Sequence, residues 1–340
     1  DSSYGGIKVP TDELLVILLK EQGYKLQQRI LLRKRLSRGG SPLHQVLLVF
    51  SYNFTKSAKS TRRTSSNNWH PAWERFKRDL PHQTQPYSKR NWGHPLHSLC
   101  SYQGKMKPSL AAHLVQTFLS KSSIILDPFA GVGTIPFEAA LAGHKTYGFE
   151  ISPAARIIAT AKLGRADKLE CQKILTDLEE FLAESEPIPQ EVESASRINF
   201  NRRIPDYYHE KTLREVLLAR RFFLKRRLVA TSECLVIACL LHILHGNRPY
   251  ALSRRSHPIT PFAPTGIPEY RPILPRLREK VERSLSAEYP HSFVEGTTLY
   301  QDATSWWPKE IENLDAIITS PPFLDSTRFH LANWLRLWFC

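Results

Sequence analysis

The run Asp127-Pro128-Phe129-Ala130-Gly131-Val132-Gly133-Thr134 does most to limit the folds open to this 340-residue chain. A short apolar stretch, Ser123 to Leu126, precedes it. A helical pattern from Ile135 to Ala142 follows, and Lys145 to Phe149 reads as a second buried strand. Gly131 and Gly133 let the backbone turn tightly and let its N–H groups approach a ligand, with Thr134 opening the helix. Strand, glycine turn, helix and strand make the repeating unit of a doubly wound α/β sheet. Glu150 closes the second strand, roughly 20 residues past the turn, where a carboxylate can accept hydrogen bonds from both ribose hydroxyls of a nucleotide. A dinucleotide would need a third glycine at the helix start. Phe137 occupies that region, which disfavours NAD.

A second junction lies far downstream. Leu314 to Thr319 predicts another buried parallel strand, and Ser320-Pro321-Pro322-Phe323 follows it. Two prolines end the ladder there and fix a rigid, extended turn. A polar hydroxyl before them and an aromatic ring after them suit the capture of an exocyclic nucleobase amine. Such an amine is a poor nucleophile, because its lone pair is delocalised into the ring. Accepting its hydrogens at the Ser320 hydroxyl and the Pro321 carbonyl draws the lone pair out of conjugation, and in-line positioning supplies much of the rate. Phe323 can stack on a base that has left its helix.

Lys and Arg number 47 against 32 Asp and Glu, a formal charge of +15, and an excess of that size points to a polyanionic partner. Nothing approaches the roughly 18 apolar residues of a membrane span, and no signal peptide opens the sequence. Cys100, Cys171, Cys234, Cys239 and Cys340 show neither a zinc spacing nor a disulfide framework. A reducing cytoplasm and a metal-free site are therefore expected.

Residues 11 to 23 read as an amphipathic helix with Thr11 as N-cap and Leu14, Leu15, Leu18 and Leu19 as its stripe. Ile30 to Leu36 and Gln45 to Phe50 predict a hairpin around Gly39-Gly40-Ser41-Pro42. Residues 51–93 are polar and basic at first, then irregular, and read as an arm or linker. A helix is expected from Pro108 to about Ser120, another over 153 to about 163, and Tyr300-Gln301-Asp302 ends a further strand candidate. From about 165 to 295 the pattern is mainly helical, an insertion in the sheet domain.

Taken together, Asp127 to Thr134 and Thr319 to Phe323 resemble the motifs of the DNA amino-methyltransferases, which act on cytosine N4 or adenine N6. The resemblance covers residues 94–162 and 296–340 well. It implies a Rossmann-like, seven-stranded methyltransferase sheet, with S-adenosylmethionine held by Asp127, Phe129, Gly131, Gly133, Thr134, Glu150, Ile151 and Asp302. Tyr102, Lys105 and Pro108 match the family's methionine-binding lead-in. Ser320, Pro321, Pro322 and Phe323 would be catalytic. The serine form of that motif is commoner among cytosine-N4 enzymes, so a site-specific, base-flipping cytosine-N4 methyltransferase is the leading reading. Adenine N6, an RNA base, or a non-catalytic nucleic-acid-binding role are the alternatives. Double-stranded DNA is the implied partner, with a cognate restriction endonuclease as a further one, in a prokaryotic, nucleoid-associated setting.

In that family the sheet's hairpin ends the domain, whereas here residues 1–50 precede the glycine turn with no fifth strand ahead of them. Two accounts stay open. One is a natural circular permutation. In the other, residues 1–50 belong after Cys340, with roughly 50 residues between, and the missing strand favours this one.

For contact with DNA, Lys56, Lys59, Arg62 and Arg63 in the arm are expected on phosphates, as are Arg220, Arg221, Lys225, Arg226 and Arg227 in the insertion. Arg254, Arg255 and His257, in a proline-rich loop, are the expected base-edge readers. His242 and His245 are expected to be core or helix-end residues rather than metal ligands.

Overall fold

The computed structural model describes residues 2–4, 7–9, 11–21, 24–36, 42–52, 70–89, 92–119, 122–199, 202–226, 228–246, 249–253, 266–309, 311, 313–321 and 329–340. Two short strands, β1 (Ser2–Tyr4) and β2 (Ile7–Val9), pair antiparallel ahead of helix α1 (Thr11–Glu21). A long antiparallel hairpin follows, β3 (Tyr24–Leu36) with β4 (Pro42–Tyr52). Both strands run beyond the sequence-based bounds. The polar residues Lys25, Gln28 and Arg29 hid the outer half of β3 from an apolar pattern, but their backbones still pair with β4.

The arm leads into helix α2 (His70–Asp79). The sequence reading had this stretch as irregular. Pro71 in the first turn and an ion pair from Lys77 to Glu74 at 2.7 Å suit a helix. Phe76, 6% exposed, anchors it on α3 (Pro108–Phe118).

The central sheet then forms from β5 (Ile124–Asp127), α4 (Thr134–Leu141), β6 (Lys145–Phe149) and α5 (Pro153–Leu163). Among the described residues the next helices are α6 (Lys168–Glu184), α7 (Pro189–Arg197), α8 (Glu210–Leu224), α9 (Thr231–Ile243) and α10 (Ile273–Leu285). The chain returns to the sheet through β7 (Thr297–Leu299) and β8 (Ala316–Ile317), and α11 (Phe329–Phe339) follows.

The sheet has the order β7-β6-β5-β8, and every neighbouring pair is parallel. Strand alternation sorts its side chains onto two faces. Ile125 packs with Ala111, Leu114, Ile135 and Ile318 on the side of α3 and α4. Leu126 packs with Tyr147, Phe149 and Leu314 on the other. The strand candidate at Tyr300 to Asp302 is displaced: β7 ends at Leu299, and Asp302 starts a turn beyond it.

The helices between α5 and β7 share one continuous core with the sheet's own helices. Helix α9 is buried from Ser232 to Ile243 and packs on α5, α6 and α10. An apolar helix without a polar face belongs inside a protein, and α9 has that composition. At the front of the chain, Leu19 of α1 is fully buried among Leu26, Phe129, Trp307 and Ile317, and β4 runs beside β8. Residues of the first 52 therefore sit against the β8 side of the sheet.

Candidate functional site

The sheet changes direction between β5 and β8. The chain leaves β5 through α4 towards β6, while β8 lies on the opposite flank of β5. In open α/β sheets the loops after two such strands diverge and leave a crevice at their carboxyl ends, where ligands bind. The glycine turn rises from β5 on one side of that crevice, and Ser320-Pro321 follows β8 on the other.

One hydrogen bond spans the base of the crevice. The Thr319 hydroxyl donates to Asp127 Oδ1 at 2.6 Å, and the Phe129 N–H donates to the same oxygen at 3.0 Å. Asp127 is 2% exposed. Burial pushes its carboxyl up to about 7, against the opposing pull of these two donors. Below them, the Ile318 N–H reaches the Leu126 carbonyl at 3.1 Å, so the ladder holds the two strands together up to the point of divergence.

The two glycines do different work. Both have positive φ, +53° at Gly131 and +68° at Gly133, the left-handed region that side chains avoid. A Cβ at Gly133 would lie 2.9 Å from Ala159 Cβ, so this glycine lets α5 close on the turn. A Cβ at Gly131 would meet nothing within 4 Å. That side of the turn is open, as a cradle for a bound molecule must be.

Glu150 faces the same opening. Its carboxylate accepts the Ser152 N–H at 2.7 Å and lies within reach of the Gly131 and Ile151 N–H groups. Burial raises its pKa above the ordinary carboxylate value and these backbone donors oppose the rise. A carboxylate offers about four acceptor positions, so with three backbone donors at it Glu150 keeps capacity for about one hydroxyl. Tyr102 lies beside it, its hydroxyl against the Ser152 side chain, and burial raises the phenol's pKa. Ile151 next to them is 60% exposed.

The lead-in segment is tied down from below. His97, in the 3₁₀ turn Pro95–Ser98, meets Glu138 of α4 at 2.5 Å, with both side chains buried. Lys105 Nζ donates to the His97 carbonyl at 2.6 Å, and Pro108 starts α3 as a buried first-turn residue. Gln103 N–H donates to Asn333 of α11 at 3.4 Å, so the helix after the proline turn also touches the lead-in. Thr134 is buried at the head of α4.

A DNA methylase family model, of the N6/N4 type, matches residues 8–160. That stretch includes the hairpin, the arm, the lead-in, the glycine turn and Glu150. The type II methyltransferase M.MjaII of Methanocaldococcus jannaschii is 34% identical over 83 residues, which is 24% of this chain and 16% of that protein's length. No solved structure matches.

The expected residues fall into three groups. Asp127, Gly131, Gly133, Thr134, Glu150, Ile151 and Tyr102 gather at the carboxyl ends of β5 and β6, and Ser320 and Pro321 stand at the end of β8, all half-buried or buried except Ile151 and the glycines' open side. Phe129 turns away from the opening and packs with Leu19, Trp307 and Ile317. Asp302 is exposed and accepts both the N–H and the hydroxyl of Thr304, at 2.8 and 2.7 Å, which hold its carboxyl below the usual range.

The arginines at the end of α8 and just beyond it bond within the protein. Arg226 pairs with Asp177 at 3.1 Å and Glu233 at 3.4 Å and lies 4.3 Å over the Phe222 ring. Arg220 donates to the Trp338 carbonyl and Arg221 to that of Glu186. These arginines fasten helices to one another, where phosphate contacts were expected. His242 and His245 are buried and bonded to the Ser101 N–H and the Ser253 hydroxyl, and no cluster that could hold a metal exists among the described residues. Lys56, Lys59, Arg62, Arg63, Arg227, Arg254, Arg255, His257, Pro322 and Phe323 lie outside the described residues. No helix among the described residues is long and apolar enough to cross a membrane.

Sequence reasoning placed Thr319 in the motif but gave it no role of its own, and it passed over Ser152 and Gly148. Gly148 admits the turn, because a Cβ there would lie 2.8 Å from Ala130 Cβ. It also passed over Tyr300 and Trp306, 66% and 85% exposed beyond β7. Their only signal was a large aromatic residue just after a strand end.

Proposed function

We propose that this chain is a DNA amino-methyltransferase that uses S-adenosylmethionine, with the exocyclic N4 amine of a flipped cytosine as its target. The Thr319–Asp127 bond carries this reading, because it sets the Ser320-Pro321 turn directly across the sheet crevice from the glycine turn. The family match of residues 8–160 supports the reaction class. The type II methyltransferase designation of the archaeal relative supports a site-specific enzyme, with a restriction endonuclease as its counterpart.

The residues present fit the donor. Gly131 leaves room for close backbone approach, and Glu150 has an acceptor position left for a ribose hydroxyl. Tyr102, Lys105 and Pro108 would border the methionine end. When bound, S-adenosylmethionine supplies a methyl group on a sulfonium. The protein's part is to hold the amine in line with it. The Ser320 hydroxyl and Pro321 carbonyl accept the amine's two hydrogens and free its lone pair for attack. No charged base is needed before attack: as the new C–N bond would form and the methyl–sulfur bond break to leave a thioether, the nitrogen would become acidic and release one proton to solvent.

The family match embraces cytosine N4 and adenine N6 alike, and the serine of Ser320-Pro321-Pro322-Phe323 is what favours cytosine. The packing of α1 and β4 on the β8 side, within a single family match over residues 8–160 that runs on through the glycine turn, supports a permuted sheet in which the hairpin precedes the cofactor strand. The deciding experiment incubates DNA with labelled S-adenosylmethionine and the protein, then digests the DNA to nucleosides. N4-methylcytosine is the expected product. N6-methyladenine would replace the target while keeping the reaction, and label found only on RNA would overturn the DNA assignment.

A further inference from the structure

We propose that Thr319 is a positioning residue for methyl transfer, acting through its hydroxyl to hold the Ser320-Pro321 turn in register with the glycine turn. The proposal rests on the reading above and adds to it a residue that touches neither donor nor target.

Three observations carry it. First, β8 is short: only Ala316 and Ile317 pair fully with β5, and the last backbone bond between the strands is from Ile318. Beyond that point the ladder fixes nothing. Pro321 has no N–H to donate, so it adds no backbone bond of its own. Second, the next tie is the Thr319 side chain. It reaches Asp127, 192 residues away in sequence, at 2.6 Å. Third, that acceptor does not move easily. Asp127 is the last residue of β5, it is 2% exposed, and it also fixes the start of the glycine turn through the Phe129 N–H. One oxygen therefore sets the height of both loops. A shift of Thr319 relative to Asp127 would move the amine acceptors relative to the methyl donor.

Geometry of this kind matters most in a reaction whose catalysis is largely alignment. A displacement of about 1 Å can cost about 10²-fold in rate. Thr319 differs in this from a residue that only completes the core: its removal should leave both ligands bound and misalign them.

The test compares Thr319→Val and Thr319→Ser with the wild-type protein, in steady-state methylation of DNA, calorimetric titration with S-adenosylmethionine, and thermal unfolding. Valine keeps the shape and removes the hydroxyl, and serine restores it. Thr319→Val should lower kcat by about 10- to 100-fold, with the KM for DNA and the Kd for S-adenosylmethionine within about threefold of wild type. Thr319→Ser should recover kcat to within about threefold. If valine lowers cofactor affinity as much as kcat, or if serine fails to rescue a folded protein, the positioning role is wrong. A valine variant that turns over at the wild-type rate overturns it too. These outcomes require a wild type that methylates. A wild type that modifies no nucleic acid overturns the methyltransferase reading itself and takes this proposal with it.

Discussion

Replacing Gly131 and Gly133 by alanine, one at a time, separates a residue that faces a ligand from one that faces the protein. Both glycines sit at positive φ, so each alanine incurs a left-handed backbone cost of about 1–2 kcal/mol. At Gly131 that is the whole cost, because the new methyl meets no atom within 4 Å. At Gly133 the methyl would lie 2.9 Å from Ala159 Cβ and 3.2 Å from its Cα. Helix α5 cannot retreat, since α9 packs behind it. Overpacking of this kind adds about 1–3 kcal/mol, so Gly133→Ala should lose about 2–5 kcal/mol in all. Urea denaturation without ligand measures both. A calorimetric titration with S-adenosylmethionine then asks which variant still binds. Gly131→Ala should stay folded with its affinity reduced at least about tenfold, a loss of about 1.4 kcal/mol. Gly133→Ala should be the less stable of the two by denaturation. If Gly131→Ala is the less stable variant, the packing argument fails. If it binds S-adenosylmethionine as the wild type does, the open side of the turn is not the cofactor's side.

Asp127 gives a pH signature. Its folded pKa, about 7, lies above the unfolded value of 3.8, so the native state binds the extra proton. Its contribution to stability is fully present below about pH 4 and is lost as pH rises to about 7, at about 1.4 kcal/mol per unit. Asp127→Asn keeps an acceptor oxygen and should flatten that slope in denaturation curves between pH 4 and 7; an unchanged slope would show that Asp127 ionises normally. Ser320→Ala and Pro322→Ala should each cut turnover, by about 10²-fold for the serine, with the calorimetric affinity for S-adenosylmethionine near normal; equal loss of both would contradict a role in amine capture. Arg226→Ala breaks two ion pairs and a cation–π contact and should destabilise by about 1–3 kcal/mol. Its salt dependence of DNA binding should match wild type, and a shallower slope would return Arg226 to the phosphate backbone.

What could be read from the sequence was what local chemistry dictates. Strand β6 and helix α5 fall at their expected bounds, because Pro153 and Gly164 bracket the helix and Glu150 closes the strand. The glycine turn declared itself through residue types needed nowhere else. Other features depend on distant partners. Helix α2 has few apolar residues, and Phe76 holds it only because α3 offers a surface. Arg226 looked free until Asp177, Glu233 and Phe222 converged on it from three directions. Thr319 reads as one more β-branched strand residue, and its role exists only in relation to Asp127. The helical stretch between α5 and β7 was legible as a break in strand–helix alternation, but its sharing of one core with α4 and α5 was not, because a change of pattern says nothing about where a core ends.

That shared core bears on how such a protein can be rebuilt. Residues 165–295 invite treatment as a cassette, to be exchanged whole for another segment. Helix α9 rules out a clean cut, since it is the inner partner of α5, and α5 in turn closes on Gly133. Removing the segment would strip α5 of its cover and loosen the turn that the rest of the sheet depends on. A graft that is to stay folded must bring its own replacement for α9, matched to Ile157, Ile158 and Ala161, and may vary freely only at the outer helices.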